Sequence, residues 1–83
     1  MKGKRIILTG AAGGIGAHLA RLLSAEGAQL CLTDINEQAL QDVRQSRGLS
    51  EAHTVAANIT DAGDRQKIVD EAIRELGGID VLV

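Results

Sequence analysis

The stretch Ile6-Ile7-Leu8-Thr9-Gly10-Ala11-Ala12-Gly13-Gly14-Ile15-Gly16 decides how the chain is read. Three consecutive apolar residues run straight into a loop with four glycines, and the loop opens a segment of helical period. Glycine is costly at a helix start unless its backbone freedom is used. Gly10 permits a tight turn out of a strand, Gly14 lets a bulky ligand approach the backbone, and Gly16 lets the helix pack close to the sheet. The helix start also presents unpaired N–H groups and partial positive charge, which suit a pyrophosphate. No Lys-Ser or Lys-Thr pair follows the glycines, so a P-loop is excluded. The literal G-x-G-x-x-G fingerprint is absent, and the plainer alternative for the loop alone is a turn used only for packing.

Further continuous apolar runs follow at Leu30-Cys31-Leu32, Val55-Ala56-Ala57 and Val81-Leu82-Val83. Runs without polar alternation belong to strands buried on both faces. Helical segments lie between them. The first carries Ile15, Leu19, Leu22 and Leu23 as its expected inner stripe and stops at Gly27. The second runs from Asn36 as N-cap to about Ser46, with Ala39, Leu40 and Val43 inward. The third starts near Thr60 or Asp61, with Ile68, Ala72, Ile73 and Leu76 inward, and ends at Gly77-Gly78. Residues 47–51 read as a polar connection. The order β-α-β-α-β-α-β predicts an α/β fold, a doubly wound parallel sheet in strand order 3-2-1-4. Ligands bind such sheets at the switch point, beyond the carboxyl ends of strands one and four.

Asp34 adds to the loop. It stands just past the second strand, 18 residues beyond Gly16, where a dinucleotide fold places a carboxylate on the adenosine ribose. A carboxylate accepts both ribose hydroxyls and repels a 2′-phosphate. Neighbouring Gly13 and Ile35 offer no compensating positive charge. The plainer reading is a solvated turn aspartate.

These residues together resemble the N-terminal part of a short-chain dehydrogenase/reductase. Thr9, Gly10, Gly14 and Gly16 match the fixed positions of the family's T-G-x-x-x-G-x-G motif. Asp34 matches the acidic residue of NAD-preferring members. Asn58-Ile59-Thr60-Asp61 resembles the family's D-x-T-D segment, with the Asn found in ketoacyl-reductase-like members. Gly78-Ile79-Asp80-Val81-Leu82-Val83 resembles the run into strand four. The resemblance implies a Rossmann-type fold and hydride transfer between NAD and a secondary alcohol or ketone, with 3-oxoacyl reduction one form of it. NADP is disfavoured. Cofactor contacts are implied at Gly10, Ala12, Gly13, Gly14, Ile15 and Gly16, at Asp34 and Ile35, and at Asn58 and Ile59. The family's N-N-A-G motif and its catalytic Ser, Tyr and Lys have no counterpart here, and the chain contains no Tyr. The expectation is therefore the N-terminal part of one NAD(P)-binding domain, residues 1–83, cut before its catalytic half and inactive alone. A stand-alone dinucleotide module and an excised or designed fragment without catalysis are the alternatives.

Composition bounds the rest. The chain has 83 residues, 45% hydrophobic and 24% charged, with a formal net charge of −2. Its basic residues are scattered, which argues against a nucleic-acid partner. There is no Phe, Trp, Tyr or Pro, so the core must be aliphatic. One cysteine cannot form an internal disulfide, and it fits a reducing, cytoplasmic setting. Cys31 reads as a small buried hydrophobe. The apolar stretch after Lys2, Lys4 and Arg5 is broken by glycines, unlike a signal peptide. No run is long enough for a membrane span. His18 is expected to be partly buried packing and His53 a surface residue; with a lone cysteine they make no metal site. Asp70, Glu71, Arg74 and Glu75 read as a solvated helix face. One helix cannot cover one face of a four-stranded sheet, so the expected partners are a nicotinamide dinucleotide and either a missing C-terminal part or a second chain over that face. For the parent enzyme the resemblance implies a homo-oligomer.

Overall fold

The computed structural model describes residues 2–83. The elements are β1 (Arg5–Thr9), α1 (Gly14–Ala25), β2 (Gln29–Asp34), α2 (Glu37–Ser46), β3 (His53–Ala56), α3 (Ala62–Leu76) and β4 (Val81–Leu82). The sheet is fully parallel in the order β3-β2-β1-β4. This is the expected doubly wound, Rossmann-type arrangement. Ile7 pairs with Cys31 on one side and Leu82 on the other, which makes β1 central. The apolar runs ending at Ala57 and Val83 overshoot their strands by one residue. Each end residue still donates one ladder bond, Ala57 to Asp34 at 2.9 Å and Val83 to Ile7 at 2.9 Å.

Alternation within β1 and β2 feeds two separate cores. Ile6, Leu8, Leu30 and Leu32 face α1 and α2 and pack with Ala20 and Leu40. Ile7 and Cys31 face α3 and pack with Val55, Ala57, Ile68 and Ala72. Fully burying a Leu or Ile contributes about 1.5–3 kcal/mol, so these side chains carry the sheet without any aromatic ring. The connection after α2 is less polar than its sequence suggests. Leu49 is buried in the first core, and the Arg44 guanidinium donates to the Ser50 carbonyl at 2.8 Å.

The helix ends follow the sequence signals. The Asn36 side chain accepts from the Ala39 N–H at 3.0 Å, and the Asp61 side chain accepts from Asp64 N–H at 3.0 Å. Caps of this kind contribute about 1 kcal/mol each. Gly27 and Gly77 take the left-handed conformation that ends α1 and α3.

The helix faces differ from expectation in three places. α1 turns Ala17 and Ala20 to the sheet, with Leu19 and Leu23 half-buried beside them. Small side chains bring this helix close, and Ile15, at 89% exposure, and Leu22 are left outside. On α3 the buried line is Ile68 and Ala72, with Leu76 half-buried behind them. Ile73 is one residue, about 100°, further round the helix and is exposed. His18 is exposed rather than packed. His53 is half-buried at the start of β3, its Nδ1 3.5 Å from a Glu75 carboxylate oxygen. Arg74 pairs with Glu71 and Glu75 on the outer side of α3, as the charge pattern suggested. Among the described residues no helix is long and apolar enough to cross a membrane, and no His, Cys, Asp and Glu cluster could hold a metal.

Candidate functional site

The site is built at the carboxyl ends of β1, β2 and β3. β1 leaves through Gly10, whose φ of +64° needs a residue without a side chain. The chain then doubles back. Ala11 N–H donates to Thr33 at 3.1 Å, and Gly13 N–H donates to the Gly10 carbonyl at 3.1 Å. A Cβ on Gly16 would lie 2.2 Å from that carbonyl oxygen, so only glycine allows α1 to start so close to the loop. Its close neighbour is thus the loop backbone rather than the sheet. A Cβ on Gly14 would meet nothing within 4 Å. Gly14 faces open space at the helix start.

α1 has no side-chain cap and no acidic residue in its first turn. Its first N–H with a helical acceptor is that of Ala17, which donates to Gly13 at 2.8 Å. The N–H groups of Gly14, Ile15 and Gly16 have no partner among the described residues. Those of Ala12 and Gly13 are used within the protein. The anion-binding capacity of the loop therefore sits at its last three residues.

Asp34 closes the other side. Its Oδ2 accepts from Ala12 N–H at 3.1 Å and its Oδ1 from Asn36 N–H at 3.4 Å. An ionised carboxylate has about four acceptor positions, so two remain. Beside it lies a slot of about 260 Å³, lined by Gly10, Thr33, Asp34, Ile35, Ala57, Asn58 and Ile59. Ile35 and Ile59 are 69% and 48% exposed there. Two aliphatic side chains held at a polar rim suit a flat heterocycle. The structure thus gathers Gly10, Asp34, Ile35, Asn58 and Ile59 into one slot, and sets Gly14, Ile15 and Gly16 on the adjoining helix start.

Several supports had no reading in the sequence. Asn58 N–H donates to Asp64 at 2.8 Å, and Arg65 donates to the Ile59 carbonyl at 2.8 Å. The loop after β3 is thereby pinned to the first turns of α3. Thr9 uses its N–H and its Oγ1 on the Val83 carbonyl, both at 2.8 Å. That fixes the ends of β1 and β4 at the switch point. At the opposite end of the same pair, Arg5 clamps Asp80 through Nε at 3.0 Å and Nη2 at 3.2 Å. The guanidinium holds the Asp80 carboxyl down at about 2, chiefly by hydrogen bonding. Only Asp80's place in a familiar run hinted at this; nothing local pairs it with Arg5.

Cys31 takes no part in the site. It is fully buried on β2, and burial pushes its thiol up to about 11. A cavity of about 520 Å³ lies at the amino ends of β2 and β3, lined in part by Ser24, Gln29, His53 and Glu75. It shares no residue with the slot. The helices present their carboxyl ends there, which repel phosphate.

A family profile described as short chain dehydrogenase matches residues 4–83. The chain belongs to the short-chain dehydrogenase family. It is similar to the Short-chain dehydrogenase reductase 5 of Arabidopsis thaliana, 38% identical over 82 residues, 99% of this chain and 32% of that protein. Among solved structures it is similar to a 3-ketoacyl-(acyl-carrier-protein) reductase from Brucella melitensis complexed with NADH. That match has a TM-score of 0.90 at 30% identity and covers 98% of this chain and 33% of the other. An NAD+-bound xylitol dehydrogenase gives a TM-score of 0.90 at 34% identity, covering 98% and 32%. This short-chain dehydrogenase sequence therefore spans about a third of the length of the relatives it matches.

Proposed function

We propose that this chain holds the adenosine and pyrophosphate of NAD in an oxidoreductase that moves hydride between nicotinamide and a secondary alcohol or ketone. The observation that carries the reading is the slot itself. Residues from three separate strand ends line it, and it adjoins a helix start whose first three N–H groups have no partner among the described residues. Family membership and the likeness to two structures that hold NADH or NAD+ support it.

The residues divide the ligand among them. Gly14, Ile15 and Gly16 donate N–H groups to the pyrophosphate, and Gly10 and Gly13 shape the turn that aims them. Ala12 acts indirectly, through its bond to Asp34. The open acceptor positions of Asp34 take the ribose hydroxyls. Ile35 and Ile59 enclose the base, and Asn58 stands at its polar edge. Asp34 has no basic residue adjacent to it in sequence to neutralise a 2′-phosphate, which favours NAD over NADP. When bound, the nicotinamide supplies the hydride chemistry. This segment's part is to bind and orient, and we assign no proton transfer to it.

The substrate is contacted elsewhere. Asn58 in the ketoacyl-reductase-like position and the likeness to the Brucella reductase make oxoacyl compounds the first class to assay. The buried lone thiol suits a reducing, cytoplasmic setting.

The test is competition by ADP. It carries the groups bound here and lacks nicotinamide. ADP should displace NAD from the full-length protein in a single-site titration, and Gly14→Val should weaken both ligands together. Tight NAD binding that ADP cannot displace would contradict the assignment.

A further inference from the structure

β3 is the outer strand of the sheet. In the doubly wound order further strands add beyond the fourth, so it stays outermost. Its backbone groups point alternately inward and outward. Ala57 N–H donates to the Asp34 carbonyl at 2.9 Å, and the Val55 carbonyl accepts from the Thr33 hydroxyl at 2.8 Å. Those two residues face β2, so Thr54 and Ala56 between and beside them present N–H and C=O outward. An edge of this kind is a template for another strand. One of its groups is covered. Lys67, on α3, donates its ammonium to the Ala56 carbonyl at 3.2 Å. Carboxylates stand within helical reach of Lys67, at Asp70 and Glu71, but their bonds go to Gln66 and Arg74. Lys67 forms no ion pair among the described residues. Its charge is held at the sheet edge instead.

We propose that Lys67 keeps β3 shut against a second copy of this chain. Two β3 edges can meet antiparallel across a twofold axis at Val55, with Thr54 of one copy opposite Ala56 of the other. Both backbone groups of each residue point outward, so each such pair can exchange two N–H···O bonds. The seam is self-complementary, and the residues along it, Thr54, Val55 and Ala56, carry no charge. The Lys67 ammonium breaks that match. It occupies an acceptor in every pair and brings like charges together at one short seam, where they repel. Arginine at 67 would guard the edge in the same way; an apolar side chain of similar length would not.

The experiment is sedimentation of the full-length protein across a concentration series, with amide hydrogen exchange on the same samples. Up to about 100 μM the wild type should show no association through β3, and its Thr54 and Ala56 amides should exchange fast, as unpaired edge groups do. Lys67→Met should gain mass with concentration beyond the wild-type assembly, and those two amides should slow by about tenfold or more. Lys67→Arg should behave as the wild type. Adding Ala56→Pro to Lys67→Met removes only an outward N–H and should reverse the association. Slow exchange at Thr54 and Ala56 in the wild type overturns the proposal, whether or not any variant folds. So does a Lys67→Met protein that keeps the wild-type mass, or one that associates while those amides stay fast.

Discussion

The Asp34 carboxylate accepts a hydrogen bond from Ala12 N–H at 3.1 Å, joining the end of β2 to the glycine loop after β1. One oxygen of a single side chain thereby sets the loop's position. The acceptor capacity left over faces the slot that would hold a ribose. Ligand affinity and loop order are coupled through this residue, so its substitution should alter both.

The two glycines at the start of α1 should respond in opposite ways. Gly16→Ala places a Cβ against the Gly10 carbonyl. Forced overpacking of this kind costs about 1–3 kcal/mol, and the melting temperature should fall. Gly14→Ala has open space and a better helix former. Its melting temperature should hold or rise while NAD affinity drops. Thermal melts and calorimetry on both variants separate fold from binding.

The Arg5–Asp80 clamp should make the β1–β4 pairing sensitive to acid. The Asp80 carboxyl lies at about 2 in the fold, below its ordinary 3.8. A depressed carboxyl contributes stability that is complete above its unfolded value and is lost as pH falls through the folded one. The loss should therefore run from about pH 4 down to about pH 2. Other carboxylates titrate there too, so the measurement is the difference between wild type and Asp80→Asn. The variant should be less stable at pH 6, and most of the gap should be gone by about pH 2. A gap independent of pH would show that the clamp is not electrostatic.

Cys31 should report on unfolding. With its thiol at about 11, only about a thousandth is thiolate at pH 8, and the side chain is fully buried. Alkylation by iodoacetamide should be at least about a hundredfold slower in the native protein than in urea. Rapid native labelling would mean that β2 opens readily.

The face of the sheet beside α3 is only partly covered. A cavity of about 500 Å³ lies there, lined by Ile7, Ile68, Val69, Ile79, Leu82 and Val83 among others. Leu82 is 70% exposed on an edge strand. Exposed apolar edges of this kind drive association. The isolated 83 residues should sediment as more than a monomer, and Leu82→Lys should reduce the association. A cooperative melt from a monomer would show that the open face is tolerated.

Much of this fold was legible because its signals are local. Continuous apolar runs marked all four strands, and Asn36, Asp61, Gly27 and Gly77 marked helix ends. Helix faces were harder. Ala17 and Ala20 carry little hydrophobic signal, yet they are what bring α1 to the sheet. The large Ile15 was assigned inward when it stands at the mouth of the site. Ile73 misled in the same way, since size in a periodic pattern does not say which side is covered. Contacts distant in sequence left no local mark. Arg5 meets Asp80 across nearly the whole chain, and Asp34 meets Ala12 only because two strands are adjacent. Asn58 was read by its type; the turn in which Thr60 holds its amide oxygen is formed only in the folded chain.

The most direct test of the account is the affinity of the full-length protein for NAD and for NADP, measured by calorimetry on the wild type and on Asp34→Asn. The wild type should favour NAD by at least about tenfold, because like charges placed together cost on the order of several kcal/mol. Asp34→Asn retains an acceptor for Ala12 and removes the charge, so that gap should narrow while NAD still binds. Equal affinity of the wild type for both cofactors, or an unchanged preference in Asp34→Asn, would contradict the placement of the ribose at Asp34.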